Sequence, residues 1–150
     1  MTLNVGGDKQ PMVTGVAWSP KGNLIAFSSI DRFVHLWTVT GQLVGLLKGH
    51  TYWVGGVAWS PSGALLASHS SDGTVRLWRS ESVNDEVGPW MSIKTLKDHK
   101  KSVVKKSVES LAWSADGKII ASGGEDKKVR LWRVIMRSDD EPCHTRDENP

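Results

Sequence analysis

Short apolar runs separated by turn residues recur along the chain. The stretch from Gly49 to Trp78 holds three such runs, and Pro/Gly or Asp/Gly residues end the first two. Runs of about four to six residues that are rich in Val, Leu and Trp predict antiparallel β-strands. A helix is excluded there, because a turn signal falls before a third helical turn could form. The pattern therefore predicts consecutive strands joined by tight turns.

The same stretch appears three times. Every copy carries two tryptophans 19 residues apart, and equivalent positions are separated by 41 residues and then by 54. The pairs are Trp18 and Trp37, Trp59 and Trp78, and Trp113 and Trp132. A repeat of about 40 residues with several strands per unit is typical of propeller blades.

The ends of each unit resemble those of the WD-repeat family. Gly49-His50 opens one unit and Trp78 closes it. The closing dipeptide is Trp-Arg in two copies and Trp-Thr in one, where the family has Trp-Asp. This change is a side-chain difference at a strand end, so it alters the signature dipeptide of the family but leaves the expected fold unchanged. The resemblance covers roughly residues 2–133. It implies an all-β protein of three propeller blades, each a four-stranded antiparallel sheet, in an open or partial propeller.

The repeats divide the chain into three parts. Residues 1–12 precede the first copy, and residues 2–5 take the fourth-strand position of a blade whose other strands are missing. This segment either completes a blade, as the resemblance implies, or is a frayed polar terminus. Residues 138–150 hold five acids and one Arg and predict a disordered acidic tail. The three repeats are expected at about 13–48, 49–98 and 99–137.

The resemblance also implies a hydrogen-bonded chain of His, Ser, Asp and Trp within a blade. A buried indole N–H needs an acceptor, and imidazole can link a hydroxyl to a carboxylate. In copy one, Lys9 and Phe27 stand in the His and Ser positions, while Asp31 and Trp37 remain. We expect that blade to be looser or differently capped. Copies two and three have all four residue types, namely His50, Ser68, Asp72 and Trp78, and His99, Ser122, Asp126 and Trp132.

A Ser, His and Asp in contact also suggest nucleophilic catalysis. We disfavour it, because the set occurs twice beside a Trp donor and no Gly-x-Ser-x-Gly motif surrounds the serine. His69 and His144 are lone histidines, expected to be exposed rather than metal-bound. No Cys/His cluster has metal-ligand spacing. We therefore expect no enzymatic activity, no metal and no cofactor.

Positive charge is concentrated late in the repeats. Residues 91–137 hold twelve Lys/Arg and five Asp/Glu, whereas residues 1–90 hold six of each. The densest group is Lys100, Lys101, Lys105 and Lys106. These lysines form either a solvated loop or a docking patch for an acidic protein segment, nucleic acid or anionic lipid. The acidic tail could instead cover the patch in cis.

Tyr52 and Trp53 are candidate partner-binding residues, because exposed aromatics beside cations suit a partner surface. Trp53 could instead cap the edge of its blade. The resemblance and the lack of a catalytic motif predict a non-catalytic protein–protein interaction scaffold. The alternatives are nucleic-acid or anionic-surface binding through loop 100–106, or a regulatory module of a larger assembly. Three blades do not easily close a ring, so the chain is also expected to be an open arc. Either another copy, through self-association, or a partner completes this arc, or the chain is cut from a longer repeat protein.

Composition agrees with a folded chain, since 39% of residues are hydrophobic and 23% are charged. The eight tryptophans are expected to be core residues first, because each buries a large apolar area. The single cysteine, Cys143, excludes an intrachain disulfide and favours the cytoplasm or nucleus. The sequence shows no apolar run long enough for a membrane span and no signal-peptide pattern.

Overall fold

The computed structural model describes residues 11–81, 88–97 and 107–135. Every helix or strand element assigned in these ranges is a β-strand, and there are eleven of them. They are β1 (Val13–Trp18), β2 (Leu24–Ser29), β3 (Val34–Thr38), β4 (Leu43–Leu47), β5 (Val54–Trp59), β6 (Leu65–Ser70), β7 (Val75–Ser80), β8 (Trp90–Leu96), β9 (Val108–Trp113), β10 (Ile119–Gly124) and β11 (Val129–Arg133).

The strands form three antiparallel sheets in which neighbours in the chain pair with each other. We call them blade one (β1–β4), blade two (β5–β8) and blade three (β9–β11). Blades one and two have four strands, and blade three has three within the described residues. The expected all-β architecture of three antiparallel blades is confirmed. The division of the chain into repeats at the boundaries given above stays a prediction.

A glycine and a serine shape the first turn of every blade. The glycine has a φ of 69° to 75°, a left-handed conformation that costs glycine little. The glycines are Gly22, Gly63 and Gly117. The serine hydroxyl accepts the backbone N–H of the residue five positions later at 2.9–3.0 Å, which fixes the start of the next strand. These pairs are Ser19 with Leu24, Ser60 with Leu65, and Ser114 with Ile119.

Two apolar clusters hold the blades face to face. Successive residues of a strand point to opposite faces of the sheet, so blade two contributes one face to each cluster. Leu66 packs towards blade one, whereas Leu65 packs towards blade three. Burying a side chain of this size contributes roughly 1.5–3 kcal/mol. The first cluster consists of Leu24, Ala26, Val34, Leu36, Leu47, Val54, Trp59, Leu66 and Trp78. The second consists of Leu65, Ala67, Val75, Leu77, Leu96, Val108, Ile120, Trp132 and Val134.

Candidate functional site

Blade two contains a continuous hydrogen-bonded chain of four side chains. Trp78 Nε1 donates to Ser68 Oγ at 2.9 Å, and Ser68 Oγ lies 2.7 Å from His50 Nε2. His50 Nδ1 lies 2.9 Å from Asp72 Oδ2. An indole can only donate, so Ser68 accepts from Trp78 and gives its own hydrogen to His50 Nε2. His50 then carries its proton on Nδ1 and donates it to Asp72.

The hairpin geometry of blade two brings these residues together. Leu66 on β6 pairs with Trp78 on β7, so Ser68 lies two positions further along on the same face as the indole. Asp72 lies in the turn between β6 and β7, and His50 lies in the connection between β4 and β5. The side chains of His50 and Asp72 are only 1% and 6% exposed. The network is therefore almost dry.

Asp72 receives several further hydrogen bonds. The backbone N–H and the hydroxyl of Thr74 donate to Oδ1 at 2.9 and 2.6 Å. The backbone N–H of Thr51 donates to Oδ2 at 3.0 Å. Burial alone would raise the pKa of the Asp72 carboxyl, but the hydrogen bonds from His50 and Thr74 outweigh it and hold that pKa well below its usual value. The carboxyl is therefore a carboxylate at neutral pH, which suits it to accept all of these donors.

This geometry argues against a catalytic serine. Ser68 is fully buried, and its oxygen is already engaged by both Trp78 and His50. A nucleophile must instead present its oxygen to a substrate. We propose that the network of blade two is structural, holding the β4–β5 connection onto the β6–β7 hairpin.

Blade three repeats part of this arrangement. Trp132 Nε1 donates to Ser122 Oγ at 2.8 Å, as Trp78 does to Ser68. Asp126 accepts the backbone N–H of Lys128 at 3.2 Å and forms a 2.7 Å ion pair with Arg130. His99, the fourth residue expected here, lies outside the described residues.

Blade one is built differently. Phe27 takes the serine position and stacks on His35, with ring centroids 4.6 Å apart and planes 11° apart. His35 Nε2 in turn lies 2.8 Å from Asp31 Oδ2. Trp37 Nε1 is buried and has no hydrogen-bond partner among the described residues. Aromatic stacking thus replaces the hydroxyl link in this blade.

One sequence position supplies an additional polar residue in every blade. His35, Arg76 and Arg130 are equivalent by the repeat spacing, each two residues before the closing tryptophan. His35 and Arg130 each contact the aspartate in the turn of their own blade. Arg76 instead donates to Ser92 Oγ at 3.2 Å and lies 6.0 Å from the ring of Trp78. Reasoning from the family motif missed this position, although its basic character in all three copies was a usable signal.

The expectation that His69 is exposed is wrong. The side chain is buried between blades two and three, where its Nδ1 donates to the carbonyl of Val108 at 2.6 Å. Burial lowers the pKa of His69, so the ring is neutral near pH 7. A Cβ at Gly56 would lie 2.5 Å from His69 Nε2, and one at Gly55 2.7 Å from its Cε1. The two glycines therefore make room for this ring, a contact between strands that composition does not reveal.

Tyr52 and Trp53 form a stacked pair, with ring centroids 5.3 Å apart and planes 27° apart. Trp53 is 50% exposed. Backbone contacts fix the segment that carries the pair: Ser71 N donates to Trp53 O at 3.0 Å, and Ser70 Oγ donates to Tyr52 O at 3.2 Å. The aromatic pair is therefore presented on a rigid connection.

Several sequence-based expectations fall outside the described residues. They concern the segment 2–5, His144, the acidic tail, and the basic group Lys100, Lys101, Lys105 and Lys106. Among residues 11–81, 88–97 and 107–135, no group of three or more His, Cys, Asp or Glu side chains is placed to hold a metal ion. The same ranges contain no helix of the length and apolarity that a membrane crossing requires.

Comparisons with known proteins agree with the geometry. The family model described as WD domain, G-beta repeat matches residues 2–38, 41–79 and 90–133. A curated relative, the anaphase-promoting complex subunit cdc20 of Dictyostelium discoideum, is 30% identical over 138 residues. The match covers 91% of this chain and 25% of the relative, so the chain spans about a quarter of that protein's length.

Proposed function

Because this chain belongs to the WD-repeat family, we propose that it is a non-catalytic scaffold that binds other proteins through the connections between its strands. The observation that carries the proposal is the stacked aromatic pair of Tyr52 and Trp53, in which Trp53 is exposed and Tyr52 is half-buried. Tyr and Trp dominate the energetically important residues of protein interfaces, because they bury a large area at low cost in conformational entropy. The cdc20 relative is by its name a subunit of a complex, which agrees with a role in binding.

The pair is also held ready for binding. The β6–β7 turn of blade two hydrogen-bonds to Thr51, Tyr52 and Trp53, so their connection is ordered before a partner arrives. A preorganised surface loses less entropy on association than a mobile one. The polar network under this turn thereby acquires a part in the function: it supports the connection that presents the aromatic pair.

Positive charge lies at the end of blade one where the β4–β5 connection begins. Lys48 begins the connection that carries the pair, and its ammonium lies 5.9 Å from the ring of Phe33. Arg32, which is exposed, precedes that ring in the β2–β3 turn. Aromatic groups beside lysine and arginine favour a peptide that combines apolar and acidic residues. We assign the partner to this class.

A peptide library displayed on phage tests the proposal directly. Peptides enriched on the wild-type chain should contain aromatic or aliphatic anchors with nearby acids. Calorimetry should then show Trp53→Ala binding such a peptide at least about tenfold more weakly, a loss of roughly 1.4 kcal/mol.

Met91→Ala is the matched control, because Met91 is similarly exposed but lies on β8, away from the β4–β5 connection. It should bind the peptide like the wild type. Equal binding by Trp53→Ala, with its circular dichroism unchanged, would remove the aromatic pair from the interface. Failure to enrich any peptide would count against the scaffold role.

A further inference from the structure

The two contacts between neighbouring blades are built alike. Trp59 Nε1 of blade two donates to the carbonyl of Ala17 in blade one at 3.3 Å. Trp113 Nε1 of blade three donates to the carbonyl of Ala58 in blade two at 3.1 Å. In both cases the first strand of the later blade contacts the first strand of the earlier one. The blades therefore associate by a repeating, directional rule.

The first turns of the blades follow the same rule. A Cβ on Gly63 of blade two would lie 3.5 Å from Pro20 of blade one, and a Cβ on Gly117 of blade three would lie 3.5 Å from Pro61 of blade two. A Cβ on Gly22 of blade one would meet nothing within 4 Å. Among the described residues, Gly22 therefore has no proline facing it, whereas the equivalent glycines of blades two and three each face the proline of the preceding blade.

Blade one also exposes the apolar half of an interface. Trp18, the equivalent of Trp59, is 58% exposed, whereas Trp59 is 9% exposed. Val13 and Val16 of the same strand are exposed as well. We call Val13, Val16 and Trp18 the leading face.

Blade three exposes the opposite half. Val129 and Leu131 are 74% and 62% exposed, although their equivalents Val75 and Leu77 in blade two are fully buried against blade three. We call Val129 and Leu131 the trailing face. The exposed residue Ala112 of β9 occupies the position of Ala17 and Ala58, whose carbonyls accept the indole N–H of the next blade.

We propose that the leading and trailing faces bind each other between two copies of this chain. Each internal interface already joins a leading-type face to a trailing-type face, so the two exposed faces match position by position. In the complex, Trp18 of one copy donates to the Ala112 carbonyl of the other, as Trp59 does to Ala17. This surface is distinct from Tyr52 and Trp53, so the inference goes beyond the proposed scaffold role.

The number of copies follows from the number of blades. A head-to-tail contact closes into a ring when its rotation allows and otherwise forms an open array. Propellers have about four to eight blades. Of the assemblies built from copies of the three blades that the structure describes, only the pair of chains falls in that range. We therefore assign a closed pair with two identical contacts.

Sedimentation velocity on the full chain tests this assignment. Between about 1 and 100 µM, the wild type should shift from one chain to two, which a dissociation constant in the micromolar range would produce. Val16→Lys on the leading face and Leu131→Glu on the trailing face should each weaken the pair at least about tenfold. Met91→Glu on β8 is the matched control and should pair like the wild type.

Mixing the two variants separates a lost interface from a lost fold. In an equimolar mixture, the intact trailing face of Val16→Lys meets the intact leading face of Leu131→Glu. At the second contact, the substituted leading face of Val16→Lys meets the substituted trailing face of Leu131→Glu, so a positive charge lies opposite a negative one. The mixture should therefore regain the pair, which two unfolded variants could not do.

Several outcomes would overturn the proposal. They are a wild type that stays a single chain at every concentration, variants that pair as tightly as the wild type, and a mixture that does not recover. A single chain throughout would favour a segment of the same chain as the cover of these faces. Growth into large assemblies would replace the closed pair by an open array. Trp53→Ala should pair normally, so a failed pair and a failed peptide-binding site are distinguishable.

Discussion

Blades one and two share a backbone plan but differ in polar chemistry. Both are four-stranded meanders, and both have a register shift in the first strand, at Val13/Gly15 and at Val54/Gly56. Inside blade two a hydroxyl and an imidazole join Trp78 to Asp72. Inside blade one the stacked rings of Phe27 and His35 occupy that space, and the N–H of Trp37 has no hydrogen-bond partner in the described part of the chain. The strand pattern therefore does not depend on the polar network.

The turn aspartate explains how the same turn is kept in both blades, although the groups around it differ. Asp31, Asp72 and Asp126 each accept the backbone N–H two residues later, at 2.9, 2.9 and 3.2 Å. This side-chain-to-backbone bond stabilises the turn itself, independently of any other partner. The second carboxylate oxygen then pairs with whichever basic group lies within reach. In blade one that group is His35, and in blade two it is His50.

The largest expected difference between the two blades comes from removing the histidine. His50→Ala leaves a buried carboxylate and a buried hydroxyl without their common partner, and should lower the free energy of unfolding by about 3 kcal/mol. His35→Ala should cost roughly 1 kcal/mol, because the side chain of Asp31 is 24% exposed and water can solvate it.

Urea denaturation of both variants, followed by tryptophan fluorescence, measures the two costs. The His35 variant serves as the matched control for loss of an imidazole. Equal costs would mean that the buried network of blade two contributes no more than the partly exposed pair of His35 and Asp31 in blade one.

A smaller difference should follow from shortening the tryptophans. Trp78→Phe removes both packing area and the N–H bound to Ser68, and should cost about 2 kcal/mol. Trp37→Phe shortens a half-buried ring and removes a donor that has no partner among the described residues. Its cost should therefore be lower by about 1 kcal/mol. Melting of the two variants under identical conditions checks the ranking, and a larger loss for Trp37→Phe would contradict it.

The smallest effect concerns acid. The folded-state pKa of Asp72 lies below its unfolded value of about 3.9. Its stabilising contribution is therefore complete above about pH 5 and is lost as the pH falls through the folded-state pKa. Asp72→Asn should flatten part of the decline in stability below pH 5.

His50→Ala supplies the second arm of the acid experiment, because His50 is the strongest of the groups that lower this pKa. Its acid profile should flatten in the same direction. Denaturant midpoints from about pH 5 to 2 give both profiles. An unchanged slope in both variants would show that Asp72 titrates alike in the folded and unfolded chain.

Turn chemistry and strand pattern could be read directly from the residues. The Ser-Pro-Lys-Gly and Ser-Pro-Ser-Gly segments after Trp18 and Trp59 are local devices, and they form the expected turns in the structure. The four residue types of blade two were also identifiable, because the resemblance to the WD-repeat family implies a His, Ser, Asp and Trp at these positions. The contacts of His69 and His35 were not, since each depends on which side chains a neighbouring strand or blade brings within reach.

The sequence by itself determined the kind of unit in this protein, because short strands, tight turns and repeat spacing are local properties. Only the tertiary structure decided what each face of a blade contacts. Val75 and Val129 are the same residue at equivalent positions, yet one is fully buried and the other is 74% exposed. Their difference arises from the presence of a neighbouring blade, and burial is a property of the packed surface rather than of the residue.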